Sequence, residues 1–212
     1  MTCCSSRSGL RSAEKPHVKP AARLDDIRRA QVWEPTDVAS KDMKAGISAK
    51  YGAFTTMRDD GTILGPWSAW LHDPELGTAI WSVTKAMTRF RHLPEVSRQI
   101  VILVVGTRFR AAYEIYAHSA VARGVGVTED QIATITAGKR PADLSEEAQV
   151  AYDVAADLLN GGVLAETVYQ RAIGLFGQLG VEELIYLVGH YCFVSMTLNG
   201  FDIPVPDGDS FS

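Results

Sequence analysis

The sequence predicts an all-α protein of about seven helices, and three observations support this. Apolar residues recur at helical spacing through most of the chain after residue 66. Capping acids, serines or threonines precede these stretches, and glycines follow several of them. One run, Ile100 to Val105, could also form a buried strand, but helix signals flank it and no second strand candidate accompanies it.

The first part of the chain lacks a clear apolar period. Residues 1–33 contain seven Lys or Arg against three acids, so we expect a disordered basic extension, with an organelle transit peptide as the alternative. The helical domain is then predicted to span residues 34–212. Within it, residues 37–51 have a weak helical pattern, and residues 52–66 carry the glycine and proline signals of a loop.

Two helices are well marked in the middle of the chain. Asp73 is a capping acid before a proline, and the apolar spacing after it predicts a helix to about Arg91. A second helix opens at Pro94-Glu95. Its centre is apolar on all sides, which predicts complete burial between other elements.

Five more helices complete the predicted fold. The first of them ends at Gly124, and Thr128 with Gln131 forms a capping box before the next. The prediction places the five over residues 110–123, 128–137, 145–159, 165–178 and 181–198. The segment after residue 200 contains two prolines and cannot be helical.

Composition and charge limit the partners that the protein can have. The longest aliphatic run has six residues, far below the ~20 that a membrane-spanning helix needs, so we expect no membrane segment. The net charge is −4, and because the first 33 residues carry +4, the remainder carries −8. An acidic body argues against a nucleic-acid partner.

The cysteines are few, and two of the three are neighbours near the start of the chain. They are Cys3, Cys4 and Cys192, with no Cys-X-X-Cys pair. This usage suits a reducing compartment, and we expect a cytoplasmic protein. Because the chain has no zinc-type Cys/His spacing and no glycine-rich phosphate loop, the sequence predicts neither a metal nor a cofactor.

The strongest sign of chemistry is a set of three polar side chains spaced four residues apart, Arg110, Glu114 and His118. On one helix they would lie along one face. His118 could exchange a proton near neutral pH, Glu114 could orient its ring, and Arg110 could hold a substrate carboxylate. The alternative is an ordinary salt-bridged helix surface with a packed histidine.

Five other residues are candidates for the walls of a substrate site. Tyr113 and Tyr116 could donate hydroxyl hydrogen bonds to a developing enolate. Trp67 and Trp70 could enclose a substrate ring, and His190, on the last helix, could face the same pocket. For each of the five, packing in the core is the alternative.

Four separated segments resemble the carboxymuconolactone decarboxylase family, which also contains the alkylhydroperoxidase D group. They are GPWSAWLHDPELG at 65–77, LPEVSRQIVILVV at 93–105, YEIYAHSAVARGVG at 113–126 and VGHYCFVSMTLNGFDIPVP at 188–206. The similarity is to a branch with a longer N-terminal part and covers about residues 40–208. It implies an all-helical fold, a homotrimer or homohexamer, and active sites near subunit interfaces.

The resemblance also implies catalytic roles for Glu114 and His118, because the family uses a glutamate and a histidine at these places. Two positions differ from the usual pattern of this branch. Ile115 stands where tryptophan is usual, and His190 stands where tyrosine is usual. The redox group of the family works through a Cys-X-X-Cys, which this chain lacks.

These features together predict a cofactor-free lyase. Its substrate would be a small carboxylated lactone or a related ring acid from aromatic compound catabolism, and His118 and Glu114 would provide acid–base chemistry. One alternative is an alkylhydroperoxidase D-like peroxidase (peroxiredoxin activity), which the missing cysteine pair disfavours. The other is a different small-molecule enzyme or a non-catalytic small-molecule binder on the same scaffold.

Overall fold

The computed structural model describes residues 41–43, 45–47, 52–58 and 63–206. Seven helices occupy the stretch from residue 66 to residue 200: α1 (Pro66–Trp70), α2 (Pro74–Met87), α3 (Glu95–Phe109), α4 (Ala112–Gly124), α5 (Glu129–Thr136), α6 (Glu146–Asn160) and α7 (Glu166–Gly200). Within the described residues, the β-type pairing is limited to an isolated bridge between Met57 and Ile63. The all-α prediction is therefore confirmed.

Helix α3 forms the centre of the molecule. All ten residues from Ser97 to Gly106 are buried, and α3 contacts α4, α5, α6 and α7. Its aliphatic side chains pack with those of α6 and α7 in the larger of two hydrophobic clusters. The apolar run from Ile100 to Val105 is thus a helix buried on every side, as predicted.

The second hydrophobic cluster is rich in aromatic side chains. It contains Trp67 and Trp70 of α1, Trp81 of α2 and Tyr113 of α4, each at most 5% exposed. Residues near the end of α7 complete the cluster. These aromatic side chains are therefore held between helices from distant parts of the chain.

Side-chain caps fix where three helices begin, at the residues that the sequence indicated. The Asp73 carboxylate accepts a hydrogen bond from the Leu76 backbone N–H at 2.9 Å. Thr128 and Gln131 form the reciprocal capping box before α5, and Ser145 caps α6. Each cap satisfies backbone donors that a helix cannot pair internally.

Some predicted helix ends differ from the observed ones. Helix α2 ends at Met87 rather than near Arg91. The two helices predicted over 165–178 and 181–198 are present as two helical segments of α7, which meet at a kink at Gly177, where φ is 66° and ψ is 179°. Residues 201–206 are not helical, as predicted.

The helix predicted over residues 110–123 begins instead at Ala112. The prediction that Arg110 shares a helix face with Glu114 and His118 is therefore wrong. Arg110 ends α3 in the left-handed region, at φ 53° and ψ 39°.

Backbone hydrogen bonds explain why the chain turns at Arg110. Its N–H donates to the Thr107 carbonyl, and the Ala111 N–H donates to the Gly106 carbonyl. This pair of bonds is the Schellman arrangement, which needs a left-handed residue and usually has glycine there. An arginine occupies that position in this protein.

By length and composition alone, helix α7 meets the criterion for a membrane span, and 39% of its most apolar stretch is buried within the protein. Core helices of globular proteins meet the same criterion. Residues of α7 belong to both hydrophobic clusters. Helix α7 thus contributes to both clusters and also has one exposed apolar side, formed by Leu179, Tyr186, Phe193 and Met196.

Predictions for the start of the chain remain predictions. Residues 1–33, predicted as a basic extension, lie outside the described residues, and so does most of the weak helix predicted over 37–51. Residues 41–43 and 45–47 are helical. The domain start at residue 34 likewise lies outside the described residues.

Arg110→Gly should raise the free energy of unfolding by about 1 kcal/mol, because a left-handed backbone costs an L-residue roughly this much and glycine almost nothing. The matched control is Arg108→Gly, inside the last turn of α3, which should lower stability by about 1 kcal/mol. Urea unfolding of the three proteins measures both changes. Destabilisation of equal size by the two substitutions would contradict the observed end of α3.

Candidate functional site

A buried polar cluster lies between α3 and α4. Helix α4 carries Glu114 and His118 one turn apart, with 3% and 8% of their surfaces exposed, and α3 carries Gln99, with 3% exposed. His118 Nδ1 is 2.7 Å from Gln99 Oε1, and His118 Nε2 is 3.2 Å from Glu114 Oε1. Each ring nitrogen of the histidine is therefore close to a different polar side chain.

The hydrogen-bond chain fixes which ring nitrogen of His118 carries the hydrogen. Gln99 Nε2 donates to Glu95 Oε1 at 2.8 Å. If the Gln99 amide were rotated by half a turn, its oxygen would face the Glu95 carboxylate oxygen and this hydrogen bond would be lost. Gln99 Oε1 therefore faces His118 and accepts a hydrogen bond from Nδ1–H. In the neutral ring, Nε2 is then the acceptor, and it faces Glu114.

Burial controls the charge of Glu114. Desolvation raises the pKa of its carboxyl to about 8, so at neutral pH this group holds its proton. Glu114 Oε1 makes no aligned hydrogen bond within the described residues, but its 3.2 Å separation from His118 Nε2 is a hydrogen-bonding distance. A proton can therefore pass between the acid and the ring nitrogen without changing the net charge of the pair.

Two small cavities flank His118. The first, of about 30 Å³, lies beside the aromatic residues of α1, and the second, of about 60 Å³, lies beside Arg98 and Gln99 of α3. Four residues line both cavities: Thr84, His118, His190 and Tyr191. Since one water needs roughly 10–15 Å³, each cavity fits a few waters, and a ring compound fits only if the shared wall moves.

His190 forms part of the wall between the two cavities and is 9% exposed. Its Nε2 lies 3.4 Å from Thr84 Oγ1, and the Thr84 hydroxyl itself donates to the Ile80 carbonyl at 2.9 Å. The donor in the His190–Thr84 contact is therefore the imidazole Nε2–H. Desolvation lowers the pKa of His190 to about 4, so the ring is neutral at neutral pH.

The first cavity has an aromatic wall that includes both tryptophans indicated by the sequence. Trp67 and Trp70 line it together with Phe54 and Tyr113. The ring of Trp70 stacks on Phe193, with 6.4 Å between the centroids. These flat apolar surfaces suit a ring-shaped ligand, and the stack connects the cavity wall to the exposed side of α7.

The two candidate tyrosines of α4 bind a neighbouring backbone segment. The Tyr113 hydroxyl donates to the Thr55 carbonyl at 3.1 Å, and the Tyr116 oxygen accepts from the Thr55 N–H at 3.2 Å. Both rings contact Phe54 edge-on. Tyr113 lines the first cavity, and Tyr116 lines neither cavity. Their hydroxyls thus position Phe54 at the site.

The structure separates Arg110 from the other candidate site residues. Arg110 is exposed and lines neither cavity. Arg98, in contrast, lines the second cavity and is 9% exposed. Its guanidinium donates to Glu95 at 3.1 Å and to the Met87 carbonyl at 3.2 Å, while its buried Nε–H has no hydrogen-bond partner among the described residues.

Sequence reasoning missed Arg98 and Gln99. Gln99 lies 19 residues from His118 in the chain, so no helical spacing connects them. One sequence feature could have indicated them: Arg98 and Gln99 directly precede the aliphatic run of α3, in a helix that is predicted to be buried on all sides. Polar side chains in such a helix must find buried partners.

Neither a metal cluster nor a reactive thiol is found in this region. Among the residues that the structure describes, no group of three or more His, Cys, Asp or Glu side chains is arranged to hold a metal ion. Cys192 is half-buried, lines neither cavity, and has a thiol pKa that burial raises. A raised pKa lowers the fraction of thiolate, which is the reactive form.

Glu114→Gln should gain stability relative to wild type as the pH rises from about 5 to 8. The carboxyl pKa is about 8 in the folded protein and near 4.5 in the unfolded chain, so between these values the folded state binds the extra proton. Wild-type stability from this group is therefore full below pH 4.5 and is lost as the pH rises through 8. Glutamine does not titrate, so this loss is absent in the variant.

Urea unfolding at half-unit pH steps measures the effect, which should be on the order of a few kcal/mol at the alkaline end. The control is Glu147→Gln, at an exposed residue, whose difference from wild type should not change over the range. A constant difference for Glu114→Gln as well would show that Glu114 is ionised throughout.

Comparisons with known proteins agree with this architecture. The model of the carboxymuconolactone decarboxylase family matches residues 74–157. Two crystal structures of the debrominase Bmp8 share the fold. A cysteine-to-alanine variant in complex with 2,3,4-tribromopyrrole gives a TM-score of 0.61 at 12% identity, over 94% of this chain and 95% of that chain. The apo form gives a TM-score of 0.60 at 13% identity, over 77% of this chain and 89% of that chain.

At these identities the similarity to Bmp8 concerns the fold alone. A search of proteins with curated functions gives no match. The family match runs from the start of α2 to the last turn of α6 and includes Gln99, Glu114 and His118. The comparison therefore shows that residues 74–157 are similar to the carboxymuconolactone decarboxylase family.

Proposed function

We propose that the protein is a cofactor-free lyase that decarboxylates a small carboxylated lactone or a related ring acid. The observation that carries this proposal is the buried Glu114–His118 contact of 3.2 Å beside two cavities. The family match and the shared fold with a debrominase support an enzyme-like protein on this scaffold.

In the proposed reaction, the bond between a substrate carbon and its carboxylate breaks and carbon dioxide leaves. The electron pair moves into the conjugated lactone, and one proton is then added to carbon. Glu114, whose pKa burial raises to about 8, stores that proton, and His118 Nε2 relays it. Solvent returns one proton to the pair, so atoms and charge balance over the cycle.

Gln99 supports this proposal by limiting where a proton can go. The amide oxygen accepts the Nδ1–H bond of His118 at 2.7 Å but does not itself take up a proton at physiological pH. A proton taken by the ring at Nε2 must therefore leave through Nε2. The exchange is directed to the side of the ring that faces Glu114.

Arg98 replaces Arg110 as the proposed anchor for the substrate carboxylate. It is buried, it lines the cavity on the Gln99 side of His118, and its Nε–H has no hydrogen-bond partner among the described residues. A guanidinium has five N–H donors, so its bonds to Glu95 and Met87 leave others for an anion. The substrate ring would then lie toward Trp67 and Trp70.

Binding of a ring acid requires the two cavities to join. The wall between them includes His190, whose contact with Thr84, at 3.4 Å, is long for a hydrogen bond. Movement of the His190 ring would merge the aromatic cavity with the Arg98 cavity. The proposed substrate thus extends past His118, with its ring on one side and its carboxylate on the other.

We also propose that the chain forms a homotrimer or homohexamer in the cytoplasm, with no nucleic-acid or membrane partner. The exposed apolar side of α7, at Leu179, Tyr186, Phe193 and Met196, supports self-association, since these side chains are 42–58% exposed. Three of them are spaced seven residues apart, so they share one side of the helix. Phe193 stacks on Trp70 of the cavity wall.

His118→Ala should lower turnover of carboxymuconolactone, or of any accepted carboxylated lactone in a panel, by roughly 10²–10⁴-fold, because the proton relay is removed. Glu114→Gln should lose activity to a similar extent. The matched control, Arg110→Ala, should retain it. Carbon dioxide release measures turnover of the lactones. A thermal-shift assay measures binding of the panel compounds and of 2,3,4-tribromopyrrole, the ligand in the Bmp8 complex.

Unchanged turnover in His118→Ala would remove this residue from the mechanism. If a panel compound raises the melting temperature of the wild type without any reaction, the protein is a non-catalytic binder. Loss of activity in Arg110→Ala alone would return the anion-binding role to that residue.

The second candidate function, peroxide reduction of the alkylhydroperoxidase D type, needs a thiolate and a resolving thiol. Cys192 is the cysteine that the structure describes, and burial raises its pKa. Peroxide consumption with dithiothreitol should therefore be close to background, and equal for wild type and Cys192→Ser. Rapid consumption that disappears in Cys192→Ser would support the peroxidase instead.

A further inference from the structure

We infer that a cavity at the C-terminal end of α3 is a second small-molecule site, which takes a neutral six-membered-ring compound carrying one hydroxyl group. The cavity lies between α3, α5 and α6. Its lining combines apolar side chains, among them Val104, Ile135 and Ala156, with the polar side chains of Thr107, Tyr152 and Asn160.

The size of this cavity suits a single ring. Its volume is about 190 Å³, against about 30 and 60 Å³ for the two cavities beside His118. An apolar cavity of about 150 Å³ is enough to bind benzene in another protein. The space is therefore sufficient for a six-membered ring with one small substituent.

The polar chemistry of the cavity centres on Thr107. Its Oγ1 is buried and has no hydrogen-bond partner among the described residues, although a buried hydroxyl without a partner is costly. A ligand hydroxyl can supply that partner, since it both donates and accepts. Burial raises the pKa of the Tyr152 phenol, so this second lining hydroxyl also remains neutral.

The electrostatics favour a neutral ligand. The cavity lies at the C-terminal turns of three helices, which end at Phe109, Thr136 and Asn160, and helix C-termini carry partial negative charge. The cationic Arg108 lies at the same place and is exposed. The opposing signs leave no strong preference for an anion or a cation.

This cavity is separate from the proposed catalytic site. No residue lines both it and either cavity beside His118. Thr107 and Gln99 are eight residues apart on α3, which is about 12 Å along the helix at 1.5 Å per residue. The inference is therefore independent of the proposed lyase activity.

Fluorine NMR of the full chain tests the inference with two probes, 4-fluorophenol and fluorobenzene. Thr107→Val keeps the branched shape of the side chain and removes its hydroxyl. It should therefore weaken the binding of 4-fluorophenol by roughly three- to tenfold and leave the affinity for fluorobenzene unchanged. Ala156→Leu fills the cavity and should abolish binding of both. His118→Ala should change neither affinity.

Several results would overturn the inference. They are absence of 4-fluorophenol binding to the wild type, equal affinity of Thr107→Val and wild type for this probe, and retained binding in Ala156→Leu. Loss of binding in His118→Ala would place the probe in the other site. If Ala156→Leu does not fold, as judged by its thermal melt, Ala156→Val is used in its place.

Discussion

The site depends on burying the Glu114 carboxyl beside the His118 imidazole without burying a negative charge. Two ionised groups in the core would each lose several kcal/mol of hydration. Glu114 avoids this loss by keeping its proton, as its pKa of about 8 indicates, and Gln99 presents a neutral oxygen to the other side of His118. At neutral pH the Glu114 carboxyl therefore carries no negative charge and still holds one transferable proton.

Helix α3 both fills the main hydrophobic core and orients a side chain of the proposed site. Its aliphatic residues fill the main core, and Gln99, on the same helix, sets the orientation of His118. Glu95 then orients Gln99 through a 2.8 Å bond at the start of α3. Because ten consecutive residues of α3 are buried, Gln99 cannot shift without disturbing the packing around it. The packing of the core thus holds Gln99, and through it the His118 ring, in position.

Local signals explain how much of this could be predicted from the sequence. Caps such as Asp73 and Thr128 are recognised from a few neighbouring residues, so the helix starts could be predicted. The Glu114–His118 contact could be predicted because residues four apart on a helix lie on the same face. Gln99 could not be predicted, because its contact with His118 joins positions 19 residues apart and depends on how α3 packs on α4. Arg110 was misplaced because a Schellman turn without glycine leaves no mark in the sequence.

Charge explains why an anionic substrate is the natural complement of the proposed site. Near neutral pH, Glu114 and His190 are uncharged. Among the other lining groups, Arg98 has 11% of its side chain exposed, whereas its partner Glu95 has 46% exposed. Water screens the exposed carboxylate more than the buried guanidinium. Glu95 therefore offsets the charge of Arg98 only in part, and a carboxylate that entered the second cavity would meet this guanidinium beside the proposed proton donor.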